Sequence, residues 1–244
     1  MSNFLPYSRQ LINKDDINEV IKVLKSDYLT QGPNLEKLEL NFKKKVKSKY
    51  SLAVSSATAG LHLSCLSLDL KKGDFLWTVP NSFVASANCG LYCDAKVSFV
   101  DIDEFSFNID INLLKKKLVT AKKKNKIPKV IVVVHMAGSP ADMFQIKKLS
   151  KKYNFKIIED ASHAIGAKYN KSSLVGSCKW SDITVFSLHP VKIITSGEGG
   201  IITTNSIEIF NKIKSLRTHG ILRDKNQLIK KNCGYWYYEQ KFLG

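Results

Sequence analysis

No stretch of the 244 residues approaches the ~20 consecutive apolar positions of a membrane-spanning helix; the longest conspicuous apolar run is Val130–Val134. The opening MSNFLPYSRQ lacks a charged segment followed by an apolar one, so it does not read as a secretory signal and a cytoplasmic location is expected. Acidic residues are scarce, 21 Asp+Glu against 38 Lys+Arg, which leaves a net charge of +17. The lysines fall in short runs at 43–45, 115–117, 122–124 and 230–231 without interleaved stacking aromatics. They are expected to be solvated faces, and neither a nucleic-acid motif nor a membrane partner is indicated. Cysteine is sparse and odd in number: Cys65, Cys89, Cys93, Cys178 and Cys233. Cys89 and Cys93 have no neighbouring His or Cys pair in the sequence to complete a zinc site, so no metal is expected. Reduced core or helix-face thiols follow, and no disulfide framework. Internal repeats and low complexity are also missing. A composition of 44% hydrophobic and 24% charged residues excludes disorder and fits one large domain or two small ones.

Strand-like and helix-like segments alternate along nearly the whole chain. Residues 15–26 place Ile17, Val20, Ile21 and Leu24 on one helical stripe, and 35–48 repeats the pattern more weakly. Short β-branched or aromatic runs at 51–54, 75–79, 97–102, 130–134, 156–159, 183–187 and 201–204 read as strands. Helix-length segments at 58–68, 83–92, 111–124 and 141–153 lie between several of them. Apolar strands separated by helices predict an α/β fold with a largely parallel sheet covered on both faces. Ligands of such sheets gather beyond the carboxyl ends of the strands, so the polar residues there are the candidates for function.

Three segments stand out. Ser55-Ser56-Ala57-Thr58-Ala59-Gly60 follows a strand and opens a helix, an arrangement that serves as a plain Ser/Thr cap or as a phosphate site. Asp160, at a strand end before Ala161-Ser162-His163, either caps a turn or holds a protonated heterocycle nitrogen. Ser187-Leu188-His189-Pro190-Val191-Lys192 leads into a turn ending Gly197-Glu198-Gly199-Gly200. Burial among apolar neighbours disfavours the ammonium of Lys192 and frees its amine to attack a carbonyl. One such lysine among many is weak evidence; together with a phosphate-type loop and a strand-end Asp it is much stronger.

These segments, with Thr218-His219-Gly220, resemble the DegT-type sugar-nucleotide aminotransferases. Supporting stretches are KSDYLTQGP at 25–33, SFVASANCGLYCDAKVSFVDID at 82–103, SDITVFSLHPVKIIT at 181–195 and YWYYEQKFLG at 235–244. The resemblance implies a pyridoxal 5'-phosphate-dependent transferase of the aspartate aminotransferase fold (fold type I), with a mostly parallel central sheet in its large domain. Residues 1–30 would be an N-terminal segment contributing to the active site, and 31–244 the cofactor-binding large domain. By matching position, Lys192 would bond the cofactor and later shuttle a proton, and Asp160 would pair with the ring nitrogen. Phe83 would stack on the ring, Thr58, Ala59 and Ser187 would hold the phosphate, and His163 would face the ring hydroxyl. Tyr7, Asp27, Tyr28, Leu29, Thr30, Ala57 and Ser187 match substrate-contacting positions. Phe83 also reads as an ordinary core aromatic. The implied reaction moves an amino group from L-glutamate to C4 of a UDP-linked 4-keto-6-deoxy-N-acetylhexosamine, as in pseudaminic acid biosynthesis, in a homodimer. Substrates of the 4-amino-arabinose or perosamine type, or a non-catalytic regulatory role, are the alternatives.

Two details depart from the family pattern: Gly197 replaces an Ala, and Asn81-Ser82 an Ile-Thr or similar pair. Relatives also continue beyond the position of Gly244, with an Asn that reaches the neighbouring subunit's phosphate and then a smaller C-terminal domain. The chain alone is therefore expected to bind the cofactor but to turn over poorly.

Overall fold

The computed structural model describes residues 5–222, 224, 226, 228–234 and 236–244; of the segments named above, residues 1–4 and Tyr235 lie outside the described residues. Two helices come first, α1 (Lys14–Leu24) and α2 (Gly32–Val46), followed by β1 (Tyr50–Val54) and α3 (Ala57–Ser67). Next are β2 (Phe75–Thr78), α4 (Ala85–Leu91), β3 (Lys96–Phe99), α5 (Ile111–Lys123), β4 (Val130–Val134), α6 (Met143–Tyr153) and β5 (Lys156–Asp160). The chain continues through β6 (Lys168–Asn170), β7 (Ser173–Leu174), β8 (Ile183–Ser187), β9 (Gly200–Thr204), α7 (Ile207–Leu216), β10 (Ile221–Leu222) and β11 (Glu239–Gln240).

Seven strands form one sheet in the order β1-β9-β8-β5-β4-β2-β3. Pairing is parallel from β3 through β2, β4 and β5 to β8, whereas β9 runs antiparallel to both β8 and β1. The expected parallel sheet is thus present with one reversed strand. The β8–β9 connection has no crossover helix, and a chain without one returns antiparallel. β4 is buried along its whole length, as its unbroken Val/Ile run requires in a sheet covered twice.

One face carries α3, α4 and α7. Leu61 and Cys65 from α3, Cys89 from α4 and Ile213 from α7 pack there against Val130, Val132, Ile158, Val185 and Ile202. On the other face, Leu114, Leu118, Ile146 and Leu149 from α5 and α6 cover Ile131, Val133 and Ile157. Phe42 and Val46 of α2 extend that layer onto Ala53, Phe186 and Ile201. Arg217 fastens the β1 edge: its guanidinium donates to the Glu39 carboxylate and, at 2.8 Å, to the Ala53 carbonyl.

All five cysteines are free thiols, and Cys65 joins Cys89 and Cys93 in one core cluster although the sequence separates them. Among the described residues, no group of three or more His, Cys, Asp or Glu could hold a metal ion, and no helix is long and apolar enough to cross a membrane.

Candidate active site

The parallel strands β1, β4, β5 and β8 end along one edge of the sheet, where β9 begins. A cavity of ≈ 660 Å³ opens there, lined among others by Ser56, Ala57, Thr58, Asp160, His163, Ser187 and Lys192. Segments far apart in sequence meet because each is the first turn after a strand.

At the β1 end, Ser56 caps α3: its backbone is extended and its side chain accepts from the Ala59 N–H at 3.1 Å. The first N–H groups of a helix have no partner within it, and the helix dipole favours an anion there. Gly200 lets β9 approach closely, since a Cβ on it would lie 2.6 Å from the Ser56 carbonyl carbon and 2.7 Å from the Ala57 nitrogen. Only a residue without a side chain fits against that backbone.

At the β5 end, Asp160 is buried but borders the cavity. One carboxylate oxygen accepts from the Ser162 hydroxyl at 2.6 Å and the Ser162 N–H at 3.2 Å, the other from the Ser86 hydroxyl at 2.6 Å. Ser86 spends its only hydrogen on Asp160, so the 2.8 Å contact with Ser82 has Ser82 donating. Ser82, Ser86 and Ser162 were not found from the sequence. Ser162 adjoins a singled-out Asp, but nothing local links Ser86 to a carboxylate so far along the chain.

Beyond β8, a compact turn returns the chain to β9. The Lys192 N–H donates to the His189 carbonyl at 2.9 Å, and the Thr195 hydroxyl and Ser196 N–H both close onto the Leu188 carbonyl. Lys192 Nζ reaches His163 Nε2 at 2.6 Å. Burial lowers the Lys192 pKa, opposed by the Asp160 charge; burial and then the Lys192 charge lower that of His163. The His163 shift favours a neutral imidazole that can accept a hydrogen from the lysine, and the Lys192 shift enlarges its fraction of free amine. His189 and Glu198, 4.0 Å apart, flank the same turn and line the cavity.

The remaining expected residues divide. Phe83 and Tyr7 line the cavity although both are largely exposed, so Phe83 is not a core aromatic. Ala59 lies in the first turn of α3, behind Ala57 and Thr58. Asp27, Tyr28, Leu29 and Thr30 form an exposed stretch between α1 and α2 and do not line this cavity. The donor set suits pyridoxal phosphate: an amine, a buried carboxylate, a helix N-terminus beside hydroxyls and an aromatic face meet in one cavity.

Residues 10–238 match the DegT/DnrJ/EryC1/StrS aminotransferase family. The chain is 40% identical over 222 residues to a UDP-4-amino-4,6-dideoxy-N-acetyl-beta-L-altrosamine transaminase of Campylobacter jejuni, covering 91% of this chain and 57% of that protein. Its fold superimposes on Helicobacter pylori PseC, an aminotransferase involved in the biosynthesis of pseudoaminic acid, with a TM-score of 0.85 and 32% identity, covering 98% of this chain and 60% of PseC. The PLP-form of Spr1654 from Streptococcus pneumoniae matches with a TM-score of 0.82 and 26% identity, covering 98% of this chain and 61% of that one. The chain therefore spans about three-fifths of the length of these relatives. By sequence and by fold, the chain belongs to the DegT/DnrJ/EryC1/StrS aminotransferase family.

Proposed function

We propose that the chain is the cofactor-binding part of a pyridoxal-phosphate-dependent sugar-nucleotide aminotransferase. The observation that carries this is the Lys192 amine set 2.6 Å from the His163 imidazole in a cavity that also reaches the buried Asp160 carboxylate. Pyridoxal phosphate, when bound, supplies an aldehyde that condenses with amines and a ring that takes up the electrons released at the reacting carbon. Lys192 provides the amine for its attachment, and afterwards Nζ carries the proton that sets the new stereocentre. Asp160 offers a carboxylate, oriented by Ser86 and Ser162, to a protonated ring nitrogen. The N-terminus of α3 with Thr58, Ala59 and Ser187 would hold the phosphate, His163 would face the ring hydroxyl, and Phe83 would cover the ring.

The amino donor in this proposal is L-glutamate. The acceptor is UDP-2-acetamido-2,6-dideoxy-beta-L-arabino-hex-4-ulose, which gains its amine at C4; the similarity to the Campylobacter transaminase and to PseC supports this sugar over the 4-amino-arabinose or perosamine type. Tyr7, Asp27, Tyr28, Leu29, Thr30, Ala57 and Ser187 contact the sugar nucleotide. Tyr7, beside the cavity, supports a role for the N-terminal segment. A cytoplasmic homodimer completes the proposal.

Incubation with pyridoxal phosphate, borohydride reduction and peptide mapping should place the label on Lys192, and the Lys192→Ala variant should take up none. Label on another lysine would overturn the assignment. Assay of the protein against a panel of UDP-4-keto sugars, with glutamate as donor, then separates the acceptors.

A further inference from the structure

Glu159 lies beside Asp160 on β5 but turns to the opposite face of the sheet, since neighbouring strand residues alternate. Its side chain is wholly buried among four donors. His135 Nε2 stands 2.7 Å and the Thr184 hydroxyl 2.8 Å from the carboxylate, which also accepts from the hydroxyls of Ser181 and Tyr169. Burial alone would raise the Glu159 pKa, but the bonds from His135, Ser181 and Tyr169 outweigh it and keep the carboxyl ionised. Burial and the Glu159 charge push the Tyr169 hydroxyl far up, so it remains a donor.

The partner side chain leads back to the cavity. His135 follows β4 and itself lines the cavity. Its Nδ1 accepts from the Ala141 N–H at 3.2 Å, which leaves the ring hydrogen on Nε2, directed at Glu159. Its own backbone N–H donates to the Asp160 carbonyl at 3.1 Å. The chain then makes a tight turn, Met136–Gly138, in which Ala137 adopts a left-handed φ of 50°. Such a conformation persists in a residue with a side chain only where the surroundings hold it. Gly138 presses on the His163 backbone so closely that a Cβ would lie 2.5 Å from the His163 carbonyl oxygen. Asn108 clamps the turn, accepting from the Met136 N–H at 3.0 Å and donating to the Ser139 carbonyl at 3.2 Å.

We propose that Glu159 and His135 are positioning residues for the active site: the buried pair ties the carboxyl ends of β4 and β5 together, reaches the start of β8 through Thr184, and holds the strained 136–138 turn against His163. The inference rests on the cofactor site proposed above and adds residues that touch no reacting atom. A carboxylate suits this place because it can accept from all four donors. A glutamine would offer one acceptor oxygen and bring two unwanted hydrogens.

The test uses the full chain with pyridoxal phosphate as the probe, titrated by its visible absorption band, alongside circular dichroism to score the folded fraction. In folded protein, Glu159→Gln and His135→Leu are expected to weaken cofactor binding at least tenfold and to alter the band. His135→Gln, which can still present an N–H to Glu159, should come within threefold of the native affinity. Asn108→Ala frees the turn without touching the pair and should weaken binding by roughly threefold to tenfold. Native affinity and an unchanged band in folded Glu159→Gln and His135→Leu would overturn the proposal, as would a loss in His135→Gln equal to that in His135→Leu. Should Glu159→Gln not fold, Thr184→Val and Tyr169→Phe each remove one donor; a graded loss of affinity supports the proposal and native affinity in both overturns it. A native chain that binds no cofactor instead marks the failure of the cofactor site itself.

Discussion

Helices α1 and α3 differ in a way that local sequence does not reveal. α1 has every local signal of a helix: Asn13 accepts from the Asp15 and Asp16 N–H groups at 2.8 and 3.1 Å, and Asp16 accepts in return from the Asn13 N–H at 2.9 Å. Its apolar stripe is regular, yet α1 has no buried residue, and Ile17 and Val20 are 51% and 59% exposed. α3 is apolar nearly all round, carries Gly60 in its interior and has only a serine cap. It is nonetheless the helix that packs on the sheet and presents its N-terminus to the cavity. Strength of pattern reports how readily a segment coils; burial decides how much the fold depends on it.

That contrast can be broken by substitution, with chemical denaturation as the measurement. Leu61→Ala in α3 empties a fully buried site and should cost about 2–5 kcal/mol. Gly200→Ala drives a methyl into the backbone at the start of α3 and should cost about 1–3 kcal/mol, with loss of cofactor binding greater than the stability change explains. Ser56→Ala removes the α3 cap for about 1 kcal/mol.

Lys192 sharpens the comparison through pH rather than stability. A lowered pKa in the folded chain means that deprotonation is complete at lower pH than in the unfolded chain. In cofactor-free protein, acylation of Lys192 should therefore reach half its maximal rate at lower pH than acylation of the same lysine after denaturation. Coincident profiles would show that the fold leaves this amine unperturbed. Smallest of all, Val20→Ala on the exposed stripe of α1 should change stability by less than about 0.5 kcal/mol. A cost like that of Leu61→Ala would mean that α1 is covered in solution.

The alternation of apolar runs and helical segments was enough to place the parallel core, because β4 is a continuous hydrophobic strand between α5 and α6 and β5 follows α6 with Ile157 and Ile158 at its centre. The reversal of β9 was less legible, since it depends on what the turn after β8 does. α7 was not read as a helix in the sequence, although Ile209, Phe210, Ile213 and Leu216 keep helical spacing. Within the site, Lys192, Asp160, His163, Ser187 and Thr58 could be named because each lies at or soon after a strand end and matches a position of the family that the chain resembles. Ser86 and His135 could not, since their meaning comes from partners on other strands and helices. Asp27 to Thr30 were legible only as a motif-like stretch: they are exposed between α1 and α2 and are not among the residues that line the cavity.

The pairing of Val54 with Gly200 joins the first strand of the chain to the last strand of its main sheet. During synthesis, the serine-capped helix start is thus made long before the residue that must nestle beside it. The α3 end of the cavity cannot be complete before β9 has been made, and any ligand that binds there only in the folded chain stabilises the fold by mass action. Occupancy would then serve as a gauge of whether the late-arriving strand has threaded home.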